Sequence, residues 1–281
     1  LWDFQVIIAL EGWKQRSGHL LADWFDALGR IEALASLAII RLDNPEWVMP
    51  TICDQNEIAF EAEGLGHPLL SSKRTCNDVY TNTDKKVLVI TGSNMSGKST
   101  LLRTTGINLV LAYAGAPVCA RSFRASIMQL YTSMRVGDDL GANISSFYAE
   151  LLRIKTIVSA ADSGAKVFYL LDEVFKGTNS LDRHTGAKAL INKLSNTSSI
   201  GLVSTHDLEL CDLVNTNDKI ANYHFQEHFE RGRICFDYKL RYGCSTTRNA
   251  LYLMRLAGID VDDVAGEIRD GDTFSVSDND L

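Results

Sequence analysis

Eight consecutive residues, Gly92, Ser93, Asn94, Met95, Ser96, Gly97, Lys98 and Ser99, fit the pattern G-x-x-x-x-G-K-[ST], with Thr100 next in line. They follow the apolar run VLVI at 87–90 and open a helix-compatible stretch, which is the context this pattern needs. Glycines at those positions let backbone N–H groups converge on anionic oxygens, and a helix N-terminus adds partial positive charge. In such a loop Lys98 reaches the β- and γ-phosphates of a nucleoside triphosphate, and the Ser99 hydroxyl ligates Mg²⁺. ATP and Mg²⁺ are the ligands this chemistry implies.

Two further segments supply groups for the same chemistry. The apolar run at 167–171 ends in Asp172 and Glu173, 74 residues after Lys98. An acid at the end of a buried strand beside the phosphate loop holds the metal or its water, which assigns Asp172 as a metal-side ligand. Glu173 then polarises an attacking water, as general base or by orientation. A third apolar run, SIGLVST at 199–205, leads into His206. From the end of a strand, His206 can hydrogen-bond the γ-phosphate or the attacking water. The catalytic set read here is therefore Glu173, His206 and Lys98.

The elements that must position these groups follow from the surrounding pattern. Apolar residues recur at three and four in ADWFDALGRIEALASLAIIRL, as they do on a packed helix, and all four tryptophans fall within the first 47 residues. NPEWVMP then interrupts the helical pattern with two prolines. From there to about residue 259, strand-like and helix-like runs alternate. The strands are VLVITG, VFYLL and SIGLVST; helices follow Gly97, Asp182 and His206. Alternation of this kind predicts an α/β sheet covered by helices. IANYHFQ and RICFDY add two strand candidates, read as antiparallel additions at one edge. The expected organisation is a helical segment over 1–56, an α/β domain over 57–259 and an acidic tail over 260–281.

Charge and cysteine usage narrow the class. The net charge of −7 lies in the last 22 residues, which hold eight acids and one base, leaving 27 of each sign elsewhere. A tail of that composition is expected to be solvated. The neutral body neither demands nor forbids a nucleic-acid partner. Six cysteines at scattered spacings, with no C-x-x-C pair, argue against a zinc site or disulfide framework and for reduced thiols in a cytoplasmic protein. No apolar run reaches membrane-spanning length. The first residue is Leu1, so the chain reads as a piece of a longer protein, whose missing N-terminal part could carry an anchor. The short basic-aromatic clusters RTCNDVY and YKLRYG are read as solvated surface.

Taken together, TGSNMSGKST, LLDEVFKGTNSLD, STHDLEL and GDDLGANISSFYAEL resemble the ATPase of the MutS family of DNA mismatch repair proteins. GHPLL at 66–70 and KLRYGCSTTRNALYLMRLAGI extend the resemblance over about residues 22–259. It implies an ABC-type P-loop NTPase fold, a mixed sheet flanked by helices with an N-terminal helical segment. It also implies a dimer with two composite ATP sites, in which Ser145 and Ser146 of SSFYAE meet the γ-phosphate held by the opposite subunit. Asn94 would face the phosphates or the water. DNA would be engaged through upstream parts.

The chain also departs from the family. Ser93 and Ser96 replace the usual Pro and Gly, and Lys176 stands where Arg is usual. Near Arg74, where the family often places an aromatic ring on adenine, the guanidinium is the group available to stack. The mismatch-reading domain, with its Phe-x-Glu wedge, precedes the ATPase in repair proteins; Phe225-Gln226-Glu227 matches that pattern only by chance. Two other functions compete with a DNA-coupled ATPase. One is a nucleotide-gated dimerisation module with little turnover; the other is an SMC- or ABC-type ATPase outside repair.

Overall fold

The computed structural model describes residues 1–54, 56–70, 74–134, 146–230 and 233–245, and the side chains of 146, 229, 230 and 233 lie outside that description. The expected acidic tail and most of the closing segment fall beyond these residues. The described residues belong to one compact unit.

Two long helices come first, α1 (Trp2–Ser17) and α2 (Leu21–Asp43), joined by a 3-10 turn. Neither has a buried residue, and their apolar side chains, such as Phe4, Ile8, Trp24 and Phe25, are exposed. The end of α2 is anchored where Arg41 donates to the Trp47 carbonyl. Trp47 is buried, and Val48 bridges to Val118.

The rest forms two sheets. Strands β1 (Thr51–Ile52), β2 (Phe60–Leu65) and β3 (Asn77–Thr81) join the later β5 (Ser122–Ala125) in a mixed four-stranded sheet of order β1-β5-β2-β3. That sheet has no counterpart in the sequence reading. Its strands are short and carry charges such as Glu61, Glu63 and Arg124, so hydropathy gives them little contrast. The six-stranded sheet contains β4 (Val87–Thr91), β6 (Gln129–Ser133), β7 (Val167–Asp172), β8 (Ser199–Ser204), β9 (Ile220–Glu230) and β10 (Arg233–Tyr242), in the order β10-β9-β4-β8-β7-β6.

β4, β8, β7 and β6 run parallel, as the alternating pattern predicts. β9 also runs parallel to β4, so only β10 reverses direction. The two late strands are therefore not both antiparallel additions. The 3-10 helix Leu208–Asn215 supplies the crossover between β8 and β9, and that connection lets β9 enter in the parallel sense.

Helices α3 (Lys98–Tyr113), α4 (Ser146–Asp162) and α5 (Ser180–Ser195) cover this sheet. Successive side chains of a strand point to opposite faces, and both faces here are dry. Leu88, Ile90, Phe168 and Leu170 pack with Leu102 and Leu109 of α3 and with Phe60 and Phe123 of the smaller sheet. Val87, Val89, Tyr169 and Leu171 pack with Ile157 of α4 and Ile191 of α5. Double-sided burial fixes the ends of β4, β7 and β8 side by side, which brings three sequence motifs to one edge. The helix expected after His206 is a 3-10 helix, Leu208–Asn215, capped by Asp207, which accepts from the Glu209 N–H at 3.0 Å.

Candidate functional site

The loop between β4 and α3 is shaped by two glycines that no other residue could replace without strain. Gly97, just ahead of α3, has φ 111°, and a Cβ at Gly92 would lie 3.0 Å from the Phe225 carbonyl and 2.9 Å from Ser96 Oγ. Met95 adopts φ 68° and is exposed at the loop tip. The turn wraps around Lys98, which is 4% exposed. Its Nζ donates to the carbonyls of Gly92 at 2.7 Å and Ser93 at 2.8 Å. Burial pushes the Lys98 ammonium below its ordinary pKa, with Glu173 and Asp172 acting in the other direction.

Across from the loop, β7 ends on Asp172, which is 8% exposed. Ser204, at the end of β8, donates to Asp172 Oδ1. Glu173 leaves the strand with φ 53° while its N–H bonds the Ser204 carbonyl at 3.0 Å. That backbone turn aims the carboxylate at three nitrogens. Lys98 Nζ lies 3.9 Å and His206 Nδ1 3.6 Å from Oε1, and Lys176 Nζ lies 2.5 Å from Oε2. The His206 contact, at 3.6 Å, is longer than an ordinary hydrogen bond. His206 is the largest influence holding the Glu173 carboxyl at about 2; Lys176 adds to it and burial opposes both. His206 is itself half-exposed, at the open end of β8.

A cleft of about 790 Å³ opens beside this group. The phosphate loop forms one wall through Ser93, Asn94, Lys98, Ser99 and Thr100, and Asp172, Glu173 and Lys176 close one end. The far wall contains His67, Leu70, Arg74 and Tyr238. Arg74 is held in place: its Nη1 donates to the Leu70 carbonyl at 3.1 Å, and its guanidinium lies 5.8 Å from the Trp47 ring centroid. That contact with Trp47 makes it a fixed cationic part of the wall.

Tyr238 is the residue the sequence reading passed over. It sits at a register shift in β10 with φ 56°, stacked on Phe236 at 5.9 Å, and half-exposed. Its ring edge would come within 3.2 Å of a Cβ at Gly97, so it overhangs the start of α3. The segment YKLRYG was read as solvated surface, and nothing in its composition shows that a bulge turns its first ring inward. Ser204 was also missed; the signal was a hydroxyl at the C-terminal end of a buried strand. Ser145 lies outside the described residues, as does the side chain of Ser146; the backbone of Ser146 begins α4.

The donor set fits a polyphosphate with its metal. A buried ammonium and a helix N-terminus face the cleft from one side, and carboxylates stand 3.9 Å or more away at its end. The Ser93 and Ser96 hydroxyls are buried and without a hydrogen-bond partner among the described residues. Orphaned donors in such a loop suit an anionic ligand. Phe225, by contrast, is 2% exposed in the core under the loop, so Phe225-Gln226-Glu227 cannot act as a DNA wedge.

The family model MutS domain V matches residues 88–267. The DNA mismatch repair protein MutS of Geobacillus thermodenitrificans (strain NG80-2) is 28% identical over 266 residues, which cover 92% of this chain. The chain spans 29% of that relative's length.

Proposed function

We propose, from the premise that this chain belongs to the MutS family through its domain V, that it binds and hydrolyses ATP with Mg²⁺ beside a second copy of itself. The observation that carries the reading is the convergence of Lys98, Asp172 and Glu173 on one cleft, from the start of α3 and the end of β7, with His206 beyond β8 standing 3.6 Å from Glu173.

Each residue has a part in that reading. Backbone N–H groups of 93–98 and the Lys98 ammonium bind the β- and γ-phosphates, while Asn94 and Thr100 line their path. Ser99 and Asp172 would hold Mg²⁺, which when bound neutralises phosphate charge. Ser204 fixes the Asp172 carboxylate by its hydroxyl. Glu173, with its carboxyl at about 2, is a weak proton acceptor at neutral pH, so it orients the water rather than deprotonating it. His206 steadies Glu173 from 3.6 Å, on the far side of that carboxylate from the cleft lining. Tyr238 supplies the apolar plate for the base, with Arg74 as the cationic wall behind it. Ser145 and Ser146 reach the partner's γ-phosphate.

DNA engagement belongs to the proposal as a property of the whole protein, of which the G. thermodenitrificans relative has more than this chain spans. A cytoplasmic setting is part of it as well, supported by the free cysteines. Among the described residues no helix is long and apolar enough to cross a membrane.

One observation favours a second reading. Glu173 is engaged by three nitrogen groups at once, an arrangement suited to a nucleotide-gated dimerisation switch with little turnover. ATP hydrolysis followed against protein concentration separates the two. The first reading expects a rise steeper than linear that collapses in Glu173→Gln. Tight ATP binding with negligible turnover at every concentration supports the switch.

A further inference from the structure

Glu150 is a buried carboxylate that belongs to no part of the phosphate cradle. It is 8% exposed, on the second turn of α4. A carboxylate in such a place is unfavourable unless donors meet it. Here its Oε1 accepts the Phe175 N–H at 2.7 Å, and the Lys176 N–H also turns to it.

The segment it holds needs holding. Glu173 and Phe175 both have positive φ, 53° and 62°. Two such non-glycine residues within three positions persist only where the surroundings over-determine them. Phe147, one turn before Glu150, adds to the grip. Its ring lies 6.5 Å from that of Phe175, and Gly177 approaches so closely that a Cβ there would be 2.6 Å from Phe147 Cβ. The first turns of α4 and residues 173–177 therefore move together or not at all.

We infer that Glu150 is a positioning residue: by fixing the Phe175 N–H it sets the backbone from which Glu173 aims at Lys98 and His206, and it ties that backbone to the start of α4. The inference rests on the proposed hydrolysis and deepens it, because α4 starts at Ser146, the residue assigned to the neighbouring copy's triphosphate. Engagement of α4 with a second copy is thereby passed to the carboxylate of the subunit's own site.

Three substitutions in the full chain test this, with the wild type and Glu173→Gln measured in parallel. Glu150→Gln keeps an acceptor oxygen, Glu150→Met keeps volume without one, and Glu150→Asp keeps charge but shortens the reach. The Met and Asp variants are expected to lose about tenfold or more in kcat. KM and nucleotide affinity should stay within about threefold, and Glu150→Gln should restore kcat to within about threefold. Wild-type kcat in either Met or Asp overturns the inference. So does a common fall of kcat, nucleotide affinity and thermal midpoint in all three, which would mark a purely structural role. A wild type that releases no phosphate overturns both this and the function proposed above. An active wild type, a silent Glu173→Gln and unaffected Glu150 variants overturn this inference alone.

Discussion

Lys98 Nζ and Glu173 Oε1 stand 3.9 Å apart, and both side chains are nearly buried although one opens α3 and the other follows β7. The distance is too long for a hydrogen bond and short enough for strong mutual influence in a poorly solvated site. Each group has other partners. The lysine is bonded to its own loop carbonyls, and the glutamate is bonded to Lys176. A triphosphate entering between them would replace those bonds on the lysine side and leave the carboxylate facing the terminal phosphate.

The first prediction concerns that lysine. Lys98→Met keeps most of the buried stem and removes the charge, so the fold should survive while the phosphate hold is lost. Affinity for ATP should fall by about 100-fold or more, read by titration calorimetry. Unchanged affinity would remove the phosphate loop from the account.

The Tyr238 ring gives the second. Tyr238→Ala should weaken ATP binding by about tenfold, while Tyr238→Phe stays near wild type, in line with base–aromatic stacking of about 1–3 kcal/mol. Tripolyphosphate, which has no base, should bind both variants and the wild type alike. Equal losses for ATP and tripolyphosphate would show that the ring acts by shaping the loop instead.

The third rests on Ser204. Its hydroxyl donates to the buried Asp172 carboxylate, and Ser204→Ala leaves that oxygen without its donor. Stability should fall by about 1–3 kcal/mol in denaturant titration. Half-maximal hydrolysis should also need more Mg²⁺, since Asp172 is then less well fixed. An unchanged Mg²⁺ requirement would separate Asp172 from the metal.

The fourth is a pH dependence. The Glu173 carboxyl is held at about 2, below its ordinary 4.5, so the ionised form is favoured in the folded chain. A group depressed on folding contributes stability that is complete above about 4.5 and is lost as pH falls toward about 2. The stability gap between wild type and Glu173→Gln should therefore be full at pH 7 and narrow below pH 4.5. Denaturant titrations of the two proteins at several pH values read it directly; a gap that widens on acidification would contradict the assignment.

Much of the site was legible in the sequence because its residues sit where strands end. Asp172 ends one apolar strand, His206 stands just beyond a second and Lys98 closes the glycine loop after a third, and strands buried on both faces mark their own ends clearly. The smaller sheet was not legible, because its short strands alternate apolar and charged residues among turns. Tyr238 escaped for another reason. A bulge sets the direction of its ring, and a bulge is a mismatch between two strands that neither strand's composition reveals. The left-handed turn at 173–175 was equally hidden, since the contacts that hold it, the carboxylate of Glu150 among them, come from distant elements. Local pattern thus gave the groups that do chemistry, while long-range contacts decide how they are aimed.

The most direct test of the central claim measures bound nucleotide and released phosphate on the same samples, for wild type and Glu173→Gln at saturating ATP and Mg²⁺. The account predicts that both bind ATP equally well, with phosphate release by the variant lower by about 100-fold or more. Equal release by the two proteins, or a wild type that binds no nucleotide, would contradict it.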